Sequence, residues 1–101
     1  MSTNAVIRVE GFKHAELYKH WDGYPTATMP WLKAFNERFT DAVDVFPEEK
    51  FAQLVRSSAM DVTEFNLDSS RHTGWGVTSR GKSHYNFLYL LKKDGTVSLR
   101  Q

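Results

Sequence analysis

The sequence predicts an α+β domain of two layers, an antiparallel sheet of about five strands with two helices packed on one face. Three observations lead there. Alternating apolar residues open the chain and return in its last third, two helical stripes lie between them, and 101 residues suffice for one hydrophobic core but not for two. The order is strand, strand, helix, helix, strand, strand, strand (ββααβββ), and the chain 1–101 reads as a single domain.

Ala5, Ile7 and Val9 alternate with Val6, Arg8 and Glu10, the pattern of a half-buried strand. Gly11-Phe12-Lys13-His14 supplies a turn. The run from Ala15 to Trp21 then places Ala15, Leu17 and Trp21 on one face and Glu16, Tyr18 and His20 on the other, so the two runs form a hairpin. Asp22-Gly23-Tyr24-Pro25 ends it, because glycine permits a positive φ and proline keeps the residue before it extended.

A first helix is expected with Thr28 as N-cap, Pro30 in the first turn and a stripe of Leu32, Phe35, Phe39, Ala42 and Val43. A second starts near Pro47, where Glu48 and Glu49 complement the positive end of the helix dipole, and buries Phe51, Leu54, Val55 and Ala59. From Asp61 to Thr73 the pattern weakens into an irregular connection anchored by Phe65 and Leu67.

Strand signals return at Trp75 to Ser79, His84 to Leu91 and Thr96 to Arg100, with Arg80-Gly81-Lys82 and Lys93-Asp94-Gly95 as turns. Two registers compete in the last hairpin. A two-residue Asp94-Gly95 turn pairs Tyr89 with Arg100, whereas a three-residue turn with Gly95 left-handed pairs Tyr89 with Leu99 and Leu91 with Val97. Only the second gathers Tyr85, Phe87, Tyr89, Leu91, Val97 and Leu99 on one apolar face. It leaves Leu88 and Leu90 on the outer face, where they offer an interface for a partner, a homodimer or a covering loop.

Composition narrows the function classes. No cysteine is present, which removes disulfides, a thiol nucleophile and thiolate zinc sites. No apolar run approaches the roughly 18 residues that cross a bilayer, and Met1 to Val9 lacks the pattern of a secretion signal, so the expectation is a cytoplasmic protein with no membrane partner. The net charge of +1 hides a division: residues 1–70 hold seven Lys/Arg against eleven Asp/Glu, and residues 71–101 hold six against one. Arg71, Arg80, Lys82, Lys92, Lys93 and Arg100 form the basic patch expected from this asymmetry.

The most distinctive local feature is Tyr18-Lys19-His20-Trp21-Asp22-Gly23-Tyr24-Pro25, followed far downstream by Gly74-Trp75-Gly76. Through Tyr18, His20, Asp22, Gly23, Tyr24 and Pro25 the chain resembles a family of small prokaryotic and phage proteins to which no activity is attached. Thr26-Ala27 and Ser83-His84 depart from that family's pattern. The resemblance implies a shared fold and a phage-type role of occupying a host protein's surface, as an inhibitor or interaction protein, with Tyr18, His20, Asp22 and Tyr24 as the motif surface.

Three functions are compatible with these residues. A non-enzymatic protein-binding module is the leading one, with no cofactor and no catalytic residues. Nucleic acid held by the basic C-terminal third is the alternative, since cationic side chains bind phosphates and Trp75, Tyr18 or Tyr24 offer stacking faces. The third is a hydrolase: His20 and Asp22 lie two apart and would share a face if the strand ran through both, half of a general-base arrangement. Its nucleophile would have to come from Thr73, Ser79 or Ser83, and no G-x-S-x-G turn positions one. The spacing of His14, His20, Asp22, His72 and His84 fixes no pair of metal ligands on one element, so no metal is expected.

Overall fold

A computed structural model describes residues 3–38, 46–60, 74–81 and 85–100. The elements are β1 (Ala5–Val9), β2 (Ala15–Lys19), α1 (Pro25–Glu37), α2 (Pro47–Met60), β3 (Trp75–Ser79), β4 (Phe87–Leu91) and β5 (Val97–Arg100), in the expected ββααβββ order. The five strands form one sheet in the spatial order β3-β2-β1-β4-β5. Phe39, Ala42, Val43, Phe65, Leu67 and the Ala59 side chain lie outside the described residues.

Both helices cover the same sheet face. Ala5, Ile7 and Val9 of β1, Leu17 of β2, and Tyr89 and Leu91 of β4 meet Leu32 and Phe35 of α1 and Phe51 and Leu54 of α2 in one buried cluster. The β1–β2 turn joins it too, because Phe12 stacks on Phe51 at 4.8 Å between ring centroids. Burial of this order, at about 25 cal/mol per Å² of apolar surface, is the main force holding the layers together.

The last hairpin takes the bulged register. Gly95 has φ +94°, Tyr89 pairs with Leu99 and Leu91 with Val97. Tyr89 is fully buried, and its hydroxyl donates to the Gly23 carbonyl at 2.7 Å. Asn36 of α1 fastens the same hairpin by donating to the carbonyls of Lys92 (3.0 Å) and Thr96 (2.9 Å).

Four local expectations change. β1 and β4 pair in parallel, Ala5 with Phe87 through Val9 with Leu91, so the sheet is mixed, although its other three pairings are antiparallel. Where Val6 and Leu88 pair, these two central strands are buried on the outer face as well, Val6 completely and Leu88 to 8% exposure, the environment in which parallel pairing is found. α1 begins three residues before Thr28: Tyr24 is its N-cap, Pro25 sits in the first turn, and Pro30 lies within the helix. The Thr28 hydroxyl is used elsewhere, donating to the Asp22 carbonyl at 2.8 Å. Finally, β2 stops at Lys19 and β4 starts at Phe87, so Trp21, Tyr85 and Asn86 are outside the strands.

Candidate functional site

The Tyr18–Pro25 motif closes one end of the sheet. The His20 amide donates to the Gly74 carbonyl at 2.6 Å, and Trp21 lies so close to Gly74 that a Cβ there would come within 2.9 Å of the indole. The two distinctive sequence features therefore touch. Next to them Lys19 Nζ stands 4.1 Å from the Trp75 ring centroid, and Trp31 of α1 tilts against Trp75 at 5.2 Å. Trp21 and Tyr24 are exposed at this end.

Within the motif the roles differ from those the sequence assigns. Asp22, not Gly23, takes the left-handed conformation, with φ +57°. Gly23 is required for close approach: a Cβ there would lie 2.7 Å from the Asn4 carbonyl carbon and 2.8 Å from Ala5 Cβ. Its amide donates to the Thr3 carbonyl at 2.8 Å while its carbonyl receives Tyr89. The chain reversal at Asp22 also breaks the strand alternation on which a shared His20/Asp22 face depends. His20 Nδ1 is hydrogen-bonded instead to the Tyr18 hydroxyl at 2.9 Å, and no hydrogen bond or ion pair joins His20 to Asp22.

The opposite sheet face, away from the helices, carries a second constellation. Arg8 of β1 lies beside Leu90 of β4, which faces Ser98 of β5, and Leu88 faces Arg100. Together with Arg80 and Leu99 these residues line a cavity of about 370 Å³. Leu88 is buried and Leu90 half-buried, so the expected bare leucine pair is in fact the cavity's apolar wall.

Two of the three arginines are held from behind. Arg8 Nε donates to Glu16 Oε1 at 2.8 Å, and Arg80 Nη1 donates to the Phe12 carbonyl at 2.8 Å. Glu16 is fully buried in the middle of this face; its Oε1 also accepts the Gly81 amide at 3.4 Å, while Oε2 has no partner among the described residues. A guanidinium has five N–H donors in a rigid fork, so anchoring one leaves the rest oriented for an anion.

The basic patch expected from sequence is divided. Arg80 and Arg100 reach this cavity, whereas Lys92 and Lys93 sit at the β4–β5 turn, the Lys93 amide donating to Glu10 Oε1 at 2.7 Å. Lys50 is buried nearby with its ammonium 3.4 Å from the Lys92 carbonyl, and burial lowers its pKa despite the opposing pull of Glu10 and Asp94. Arg71, Lys82, His72 and His84 lie outside the described residues. Sequence reasoning missed Arg8. Its position on the outer face of β1 was visible in the alternation, but its nearness to Leu90 depends on the parallel β1–β4 pairing, which no local pattern reveals.

Among the described residues no three His, Asp or Glu side chains gather as metal ligands, and no helix is long and apolar enough to cross a membrane. No family model, curated protein or solved structure matches this chain.

Proposed function

We propose that this protein is a non-enzymatic binding module that holds another protein on the outer face of its sheet. The observation that carries the reading is the cavity that combines Leu88 and Leu90 with Arg8, Arg80 and Arg100. Apolar wall and cationic rim in one concavity suit a protein surface, where a buried aliphatic anchor supplies affinity and charged neighbours set orientation. The engagement of His20 by Tyr18, with Asp22 in a left-handed backbone conformation, favours a structural role for the motif over general-base chemistry. The phage-type resemblance of Tyr18–Pro25 agrees with a host-directed role.

Nucleic acid is the second reading, favoured by the convergence of Arg8, Arg80 and Arg100 on one face. Against it, the described residues of the cavity lining include no aromatic ring on which a base could stack.

Panning a displayed random-peptide library on the wild-type protein, in parallel with a Leu90→Asp, Arg100→Glu variant, tests the reading. Peptides retained by wild type and lost on the variant are expected. No wild-type-specific peptide, together with salt-sensitive binding of a labelled oligothymidylate of about 12 nucleotides, would transfer the site to nucleic acid.

A further inference from the structure

The geometry points to a specific ligand chemistry for the outer-face cavity: an acidic, aliphatic segment of another protein, its carboxylate received by the Arg8 and Arg80 guanidinium groups and its aliphatic side chain set against Leu88 and Leu90. This inference rests on the protein-binding reading above and names what that partner must present.

Orientation of the guanidinium groups favours such a ligand. An arginine on a free surface loses side-chain entropy when it binds. Here Arg8 is fixed through Nε by Glu16 and Arg80 through Nη1 by the Phe12 carbonyl, so part of that ordering is already built into the fold. Each fork retains N–H donors suited to the two oxygens of a planar carboxylate. Arg100 is exposed on the edge strand and adds a third charge, and Ser98 adds a hydroxyl.

Charge balance favours it as well. Three arginines against buried Glu16 leave the site at +2, enough for one or two carboxylates. A dense polyanion is less well matched, because the Glu16 carboxylate is paired with Arg8 and neutralises part of the positive charge of the site. The apolar wall adds a requirement of its own. Leu88 and Leu90 gain from contact only with a group that prefers to leave water, which a phosphate backbone lacks and Leu, Ile, Val or Met supplies.

The test uses the whole chain. Peptides selected from the random library are sequenced, and the best binder is synthesised with fluorescein, alongside versions in which each Asp or Glu is changed to the amide. Enrichment of Asp or Glu beside an aliphatic residue is expected, with affinity falling about tenfold or more when the key carboxylate becomes an amide. Arg8→Lys keeps the positive charge opposite Glu16 but removes the fork, and should weaken the same peptide by about tenfold. Arg100→Gln, at an exposed position, should weaken it less while leaving the thermal melt unchanged.

Selected peptides without acidic residues, or equal binding of acid and amide versions, overturn the carboxylate assignment and leave the protein-binding reading standing. Full affinity in Arg8→Lys overturns the fork argument. Failure to select any peptide overturns both. Concentration-dependent sedimentation that Arg100→Gln abolishes also overturns the assignment, because the occupant is then a second copy, whose exposed Phe46, Glu48 and Glu49 carry the same acidic and apolar chemistry.

Discussion

Replacing Tyr89 by Phe removes one oxygen atom from the middle of the protein and tests how the motif and the core are joined. The Tyr89 ring is fully buried and its hydroxyl donates to the Gly23 carbonyl at 2.7 Å, a bond between positions 66 residues apart. A neutral hydrogen bond contributes about 1 kcal/mol net, and where its loss leaves a buried acceptor unsatisfied the whole cost is about 1–3 kcal/mol. Phe keeps the ring packing, so the expected destabilisation is about 1–3 kcal/mol. For a domain of this size each 1 kcal/mol moves Tm by about 4–8 °C. The pH dependence supplies a second readout. Burial holds the Tyr89 phenol in its neutral form and raises its pKa above the ordinary 10.0, a Thr28 hydrogen bond opposing this. The unfolded chain releases this proton first. Tyr89 thus contributes stability that is complete below pH 10.0 and declines as pH rises through the higher native value. Urea melts of wild type and Tyr89→Phe at neutral pH and across the range above pH 10 measure both effects. Stability within about 0.5 kcal/mol of wild type at neutral pH, or an identical alkaline decline in both proteins, would refute the reasoning.

Other outcomes follow from the same geometry. Arg8→Met should destabilise more than Glu16→Gln, by about 3–5 against about 1–3 kcal/mol in denaturant melts, because Glu16 is wholly buried while the Arg8 side chain is 21% exposed and still reaches water. Equal losses would show that the pair is not asymmetric. Gly23→Ala should cost about 1–3 kcal/mol by forcing a Cβ against Asn4 and Ala5, whereas Asp22→Gly should be neutral or stabilising by up to about 1 kcal/mol, since it relieves a positive φ. The reverse order in thermal melts would return the essential role to the Asp22 carboxylate. Lys50→Met removes a burial cost that wild type bears while the amine is charged. That cost is relieved as pH rises from the lowered native pKa to 10.5, so the variant should gain most below that window and lose the corresponding rise in its stability profile.

Periodicity and turn chemistry made much of the fold legible. Gly95 and the alternation of Phe87 through Leu91 select the bulged hairpin, and Trp75–Ser79 is delimited by glycines on both sides, so both agree with the observed strands; Tyr85, which the alternation also includes, lies exposed outside β4. The start of α1 was less accessible. Thr28 has the chemistry of an N-cap, but Pro25 has the backbone of a first helical residue, and the Thr28 hydroxyl finds the Asp22 carbonyl instead. Parallel pairing of β1 with β4 joins residues about 80 positions apart and leaves no trace in either strand's alternation. The candidate site depends on that pairing. Arg80, Arg100, Leu88 and Leu90 could each be singled out, but Arg8 enters the group only when β1 is known to lie beside β4. Tyr18, His20, Asp22 and Tyr24 were conspicuous, and their contacts explain their prominence through chain reversal, backbone proximity and the seating of Trp21 on Gly74.

The central place of β4 also governs the order in which this protein acquires its shape during synthesis. β1 is made long before its parallel neighbour, so one of its edges has no native partner until Phe87–Leu91 follows. Until then the nascent molecule presents an open, apolar strand border, a surface that invites pairing between chains. Final closure joins distant parts of the sequence and should be slow compared with helix formation. A product ending before Phe87 would keep its helices' sequence but lose the strand that seals the interior, making it a natural target for chaperones.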